Sequence, residues 1–249
     1  MKEIIKGLNT GTDRYGNWID IAINRVIQRF RCIPAGTFLM GSPKDEPGYY
    51  EDEIQHEVEL TKAFWLADTV CTQELWEAVM GNNPSRFIGK NKPVDSVAFE
   101  DCQVFLETVG TGLRLPTEAE WEYACRAGTQ TAYSFGGTIS KKQANYGGTK
   151  TVEVKAFQPN GWGLYQMHGN VWEWCSDGYG DYPEGKTIDP TGLLAGSRKV
   201  LRGGSWYDLA RALRAAYRGL STPALRYDPI GFRLARSGSG YVCWCGGER

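Results

Sequence analysis

Beyond Gly128 the sequence carries no helical period to its end, only short apolar runs set among Gly, Asn and Asp. With 31 glycines and 11 prolines in 249 residues, much of the backbone needs positive or fixed φ and runs through turns and irregular loops. That excludes a helical bundle. Strand and helix patterns do not alternate, which excludes a parallel βαβ sheet. Helices early and short strands late specify the α+β class. The 9 Trp, 13 Tyr and 9 Phe are enough to bury an aromatic core, so the loops belong to a folded domain.

Three helices are legible. Thr72 caps one that runs to Met80 and closes at Gly81, with Leu75, Trp76 and Val79 at helical spacing. Ser96 is expected to cap a second, whose Ala98, Cys102, Phe105, Leu106 and Val109 form one stripe ending at Gly110. The third opens on a capping box: the Thr117 hydroxyl accepts from the Glu120 N–H and the Glu120 carboxylate reaches back to the Thr117 N–H. Its Trp121, Ala124 and Cys125 face the core and Gly128 stops it.

Residues 30–41 read as strand, turn and strand around Pro34-Ala35-Gly36, and further strands are expected at 58–66, 163–167, 171–175, 199–202 and 231–235. Residues 44–57 are acidic and broken by Pro and Gly, a solvated loop in which His56 reads as a surface residue. There is no repeat and no linker, so the expectation is one domain at 30–236, with an N-terminal extension (1–29) and a C-terminal tail (237–249).

A formal net charge of −1 creates no field that draws the chain to nucleic acid or anionic lipid. No apolar run approaches the about 18 residues of a membrane span, and residues 1–24 show no apolar core of a signal peptide. The seven cysteines (Cys32, Cys71, Cys102, Cys125, Cys175, Cys243, Cys245) are odd in number and form no C-x2-C pair. They indicate neither a zinc site nor a disulfide framework and read as small hydrophobes.

Four stretches in order carry a family resemblance: Arg114-Leu-Pro-Thr-Glu-Ala-Glu-Trp-Glu-Tyr-Ala124, Gly163-Leu-Tyr-Gln-Met-His-Gly-Asn-Val-Trp-Glu-Trp174, Leu201-Arg-Gly-Gly-Ser-Trp206 and Gly231-Phe-Arg-Leu234. They resemble the sulfatase-modifying, formylglycine-generating family over about residues 30–236. The resemblance implies a C-type-lectin-like fold, few helices and short antiparallel strands. As scaffold the motifs make physical sense. Trp121, Trp172, Trp174 and Trp206 supply large buried area. Glu120, Glu122 and Glu173 beside Arg114, Arg202 and Arg233 offer bidentate ion pairs. Some family members bind calcium near the Gly-Asn-Val-Trp-Glu-Trp stretch, where Asn170 and Glu173 stand here. Two such side chains are too few for an ion that takes 6–8 oxygens unless carbonyls help, so calcium is a secondary expectation and no other cofactor is implied. His168 reads as a hydrogen-bonded core residue.

The formylglycine-generating enzymes hold copper with a pair of cysteines shortly after the Gly-Gly-Ser motif, because soft thiolates select Cu(I). Here no Cys lies between Cys175 and Cys243, so no catalytic residue is assigned and the chain is expected not to be an enzyme. With only His56 and His168, the histidine iron site of the sulfoxide-synthase relatives cannot be built either.

Between Trp206 and Gly231 the residues that keep the family's look (Ala210, Arg211, Arg214, Ala215, Ala216, Arg218, Pro223, Arg226) separate from fillers with no apolar period. The fillers are Tyr207, Asp208, Leu209, Ala212, Leu213, Tyr217, Gly219, Leu220, Ser221, Thr222, Ala224, Leu225, Tyr227, Asp228 and Pro229. Every one is encoded by some codon ending in a pyrimidine, and Lys, Glu, Gln, Met and Trp are missing. Randomising both adenines of an Asn codon gives that set. The pattern resembles the variable proteins of diversity-generating retroelements, with a variable region at about 201–234. Tyr207, Tyr217 and Tyr227 offer rigid amphipathic contacts and Ser221, Thr222, Asp208 and Asp228 adaptable polar ones, a paratope's composition. Leu209, Leu213, Leu220 and Leu225 add an exposed apolar patch, while Arg211 and Arg214 are expected to hold the backbone beneath it.

The chain is therefore expected to be a non-catalytic protein that displays these residues to an external ligand, a protein. The alternatives are an oxidoreductase or pseudoenzyme acting on a peptide cysteine, and a calcium-dependent carbohydrate-binding lectin. The resemblance implies a place at the cell surface or outside the cell, with the cytoplasm as the alternative. Oligomeric state is not legible.

Overall fold

In the computed structural model, residues 5–110, 112–193 and 196–238 are described, and side chains from residue 9 onward. Among these, three helices and three sheets form a mixed α+β architecture.

The largest sheet has six strands in the order β1-β2-β3-β6-β13-β7: Ile5–Asp13, Gly16–Ile23, Val26–Ile33, Phe64–Ala67, Ala235–Ser237 and Leu113–Arg114. The segment read as an N-terminal extension is thus a meander built onto the domain's own sheet. Its Ile19, Ile21 and Ile23 are buried with Phe30 in the main core, and no composition shift marks it off because its alternation matches the strands it joins. Only residues 237–238 of the expected tail are described, and Cys243 and Cys245 lie outside the described residues.

The second sheet, β11-β10-β8-β12, is Gly219–Ser221, Lys199–Arg202, Trp172–Gly178 and Ile230–Phe232, with β12 parallel to β8. The third joins β4 (Gly36–Met40), β5 (His56–Leu60) and β9 (Thr187–Ile188). Two expected connections change here. Residues 30–41 form no hairpin, because β3 pairs with β2 and β6 while β4 pairs with β5. The single run expected at 58–66 is split between β5 and β6, in different sheets. Residues 163–167 form no strand. The Asn160 carboxamide takes the place of a partner strand, accepting from Trp162 N and Leu164 N at 3.0 and 3.1 Å and donating to Ala124 O at 2.8 Å.

Helix α1 (Gln73–Met80) keeps its Thr72 cap, which accepts from Leu75 N at 3.2 Å, and ends at Gly81 with φ 71°. α2 (Phe99–Val109) starts later than expected, after Ala98. Ser96 has φ 62° and gives its hydroxyl to Asp95, so the Asp101 carboxylate closes the turn instead by accepting from Ala98 N at 2.9 Å. α3 (Glu118–Arg126) has both halves of its capping box, at 3.1 and 2.9 Å, and every one of its residues is buried. Trp76, Phe105 and Phe232 stack edge and face in the core between α1, α2 and the large sheet, and Trp121, Phe64, Met167 and Val200 form a second core around α3.

Candidate ligand-binding face

The face is made by one excursion of the chain out of β10 and back into β12. Gly203 and Gly204 turn it with φ of 96° and 71°, and a Cβ on Gly204 would meet Ala212 O at 2.7 Å, so only glycine lets the strand end pass beneath the 3-10 turn Ala210–Leu213. Trp206 is buried under the turn. Its backbone N–H donates to Asn170 O at 3.0 Å, its backbone carbonyl accepts from Gly148 N at 2.7 Å, and its ring meets Phe87 edge-on at 5.5 Å.

Three arginines fix the excursion from below. Arg214 donates to Glu46 and Glu53 at 2.7 to 2.8 Å and to the Gly48 carbonyl. Arg218 forks onto Glu118 at 2.8 and 3.1 Å and reaches the Asp52 and Gly180 carbonyls. Arg202, fully buried, pairs with Glu122 and donates to Tyr217 O at 2.5 Å. The acidic loop at 44–57 is therefore no free solvated loop. It is a clamp, because burying a guanidinium requires carboxylates on every side. His56 is buried within it, its ring 4.7 Å from Tyr182 and Nδ1 3.0 Å from Ile54 O. Arg211, expected to work beneath the face, is exposed on it.

The fifteen filler residues divide by burial. Tyr207, Leu209, Leu225 and Tyr227 are 67%, 65%, 46% and 52% exposed, and Thr222 and Ala224 are exposed with them. Asp208, Tyr217, Gly219, Leu220 and Asp228 are half-buried. Ala212, Leu213, Ser221 and Pro229 are buried, which corrects their placement on the contact surface. Leu213, 0% exposed, packs with Ala132, Tyr133 and Ala144 because the 3-10 turn folds it inward, so it adds nothing to an exposed patch. The two aspartates are engaged: Asp208 accepts from Ser205 N and Oγ at 3.0 and 2.5 Å, and Asp228 pairs with Arg86. Tyr217 packs on Tyr50 and Trp172 at 5.3 and 5.9 Å.

Residues outside the excursion join the face without any signal in the linear sequence. Tyr50 comes from the acidic clamp, and Arg86 and Phe87 come from the loop after α1. Arg226 ties the return path to Asp101 on α2 at 2.7 and 2.8 Å.

The motif ion pairs form as their residue types suggest: Arg114 forks onto Glu120 at 2.6 Å twice, and Arg233 forks onto Glu173 at 2.9 and 2.8 Å, with Trp121 Nε1 on the same carboxylate at 2.7 Å. Asn170 spends its whole carboxamide on protein, accepting from Asn145 and Val152 N and donating to Val152 O and Gln166. A calcium ion on Asn170 and Glu173 has to displace these bonds, so the donor set does not fit it. His168 lies in the core, with Nδ1 donating to Leu213 O at 2.7 Å and Nε2 accepting from Ser134 N at 3.1 Å. Cys71, Cys102, Cys125 and Cys175 are buried free thiols whose ionisation burial pushes up, whereas Cys32 is disulfide-bonded, which the cysteine spacing did not indicate.

The model of the sulfatase-modifying factor enzyme 1-like domain matches residues 24–238. Among curated relatives, the chain is 45% identical over 149 residues to serine/threonine-protein kinase pkn1 of Chlamydia caviae, covering 58% of this chain and 24% of that one. It is 37% identical over 167 residues to the formylglycine-generating enzyme of Streptomyces coelicolor, covering 58% and 52%. The chain thus spans about a quarter to about half of these relatives. Among solved structures, Treponema denticola variable protein 1 superposes with a TM-score of 0.78 at 30% identity, covering 94% of this chain and 99% of that one. The motifs, the buried arginine–carboxylate scaffold and the match over residues 24–238 agree: the chain belongs to the sulfatase-modifying factor enzyme 1-like family.

Proposed function

We propose that this protein binds a protein ligand through the exposed part of the 207–229 excursion, without catalysis, and that this part is sequence-diversified. The observation that carries the reading is the contrast within one short segment. Tyr207, Leu209, Leu225 and Tyr227 stand exposed, while Trp206, Arg214 and Arg218 beneath them are buried and held by several partners each. Rigid aromatic and apolar groups on an immobile base lose little entropy on binding. The likeness to a solved protein named a variable protein supports the same reading. No Cys stands between Cys175 and Cys243, so the thiolate pair that formylglycine formation needs is missing from the excursion. No described helix is long and apolar enough to cross a membrane. Display at a cell surface is part of the proposal, and calcium is not.

Family membership keeps one rival, oxidation of a peptide cysteine, and one experiment separates the two. The protein is incubated with Cu(I), oxygen and a cysteine-containing peptide, and the peptide is weighed by mass spectrometry. The binding reading expects no formylglycine, and its formation overturns that reading. Diversification expects a nearby near-copy of the 3′ coding region with Asn codons at the filler positions beside a reverse transcriptase gene. Close relatives that vary evenly along the chain sink it.

A further inference from the structure

A cavity of about 350 Å³ opens between the start of α3, the end of β8 and the 180–193 loop, lined by Met40, His56, Asp177, Tyr182, Thr191 and Leu193 among others. None of the fifteen filler residues lines it. Its volume lies at the small end of ligand pockets, about 300–1,000 Å³, room for one ring and a polar head.

Asp177 sits in its wall and is 3% exposed. Oδ2 accepts from Glu118 N at 2.9 Å and from the Ser176 hydroxyl at 3.0 Å. Oδ1 accepts from no described residue. It lies against Gly192, where a Cβ would come within 2.7 Å of it, and Gly192 also lines the cavity. The neighbouring guanidiniums are all committed elsewhere: Arg218 to Glu118, Arg202 to Glu122 and Arg114 to Glu120. Of the other titratable groups, Glu118 and its partner Arg218 line the cavity with Asp181 and Tyr182, and His56 Nδ1 faces the Ile54 carbonyl. A carboxyl whose second oxygen takes no hydrogen bond from a described residue keeps an acceptor free for a cation that enters the cavity. The rest of the wall mixes Glu118 and its partner Arg218 with apolar Met40 and Leu193 and the Tyr182 and His56 rings, which lie 4.7 Å apart.

We propose that this cavity binds a small organic cation, a primary ammonium or guanidinium on an apolar body, with Asp177 as its counter-ion. Burial, with Glu118 and Glu120 adding to it, holds the Asp177 carboxyl up at about 7, so a bound cation expels the Asp177 proton to solvent. Affinity therefore rises with pH as that carboxyl ionises. The cation can come from a free amine or from a lysine side chain, and the test separates the two.

Isothermal titration calorimetry of the full chain with benzylamine, benzyl alcohol and Nα-acetyl-lysine amide, at pH 6, 7 and 8, decides it. The expected result is that the amines bind and the alcohol does not. Affinity rises about tenfold from pH 6 to 8, with protons released in proportion. Asp177→Asn, which keeps the oxygen that caps α3, weakens binding at least about tenfold at pH 8 and flattens the pH profile, since a buried ion pair is lost. Leu193→Trp, at an exposed position on the rim, weakens binding by occlusion while leaving the thermal unfolding transition in place, so the proposal stays testable if the Asp177 variant folds poorly. Tighter binding of the lysine amide assigns the site to a protein side chain, and tighter binding of benzylamine assigns it to a free amine. Equal binding of benzyl alcohol and benzylamine, no binding of either amine, or full binding and pH dependence in the Asp177 or Leu193 variant overturns the proposal.

Discussion

His168 shows what a single residue does for the face above it. Its imidazole joins Leu213 O, in the 3-10 turn, to Ser134 N, and burial lowers its pKa from 6.5 to about 4. A histidine held neutral in the fold stabilises above its ordinary pKa, and that stability is lost as pH falls from 6.5 toward 4. One pKa unit is about 1.4 kcal/mol, so about 2 kcal/mol is gone by pH 5. Asp177 runs the opposite way, since its carboxyl is pushed up. His168→Gln, whose carboxamide can donate to Leu213 O and accept from Ser134 N, removes only the histidine's part, so urea unfolding is expected to favour the variant over the parent by about 2 kcal/mol more at pH 5 than at pH 7. An unchanged pH slope in that variant refutes the assignment. At this scale much was legible. The pairing of Arg114, Arg202 and Arg233 with Glu120, Glu122 and Glu173 follows from residue types that need one another when buried. His56 was misplaced, because its burial depends on Tyr182, far away in sequence.

Among the elements, α3 is the hinge between sequence and site. Its N-terminus carries the capping box, and its Glu118 and Glu122 hold Arg218 and Arg202 under the excursion. Thr117→Ala is expected to cost about 1 kcal/mol in urea unfolding, from loss of the 3.1 Å bond to Glu120 N. A loss below a few tenths of a kcal/mol would mean that tertiary packing alone sets the helix start. The caps at Thr72 and Thr117 were legible because both partners lie within four residues. The Ser96 cap was not, because a left-handed Ser96 moves the start to Ala98 and passes the capping role to Asp101. Strand pairing was less legible still: β4 and β5 were both visible as strands, but their separation from β3 and β6 depends on which distant strand each one meets.

For the whole molecule, the division between base and face makes a stability prediction. Serine at Tyr207, Leu209, Leu225 or Tyr227 is expected to change stability by no more than about 0.5 kcal/mol each, because exposed side chains give up little on removal. Leu213→Ala is expected to cost about 2–5 kcal/mol, the range for a fully buried leucine. Chemical denaturation of the five variants checks this. Comparable losses at exposed and buried positions would show that the face is part of the core and cannot tolerate diversification.

The sequence by itself determined the fold class, the helices, the family motifs and the stretch of chain that forms the face, because these depend on local periodicity, on caps within one turn and on residue types that demand particular partners. Only the tertiary structure decided which fillers point outward, that the acidic loop clamps Arg214, that Tyr50 and Arg86 join the face, and that Asp177 has no cationic partner among the described residues. Each of these follows from contacts between residues far apart in the chain, whose geometry is set by how three sheets and three helices share two cores.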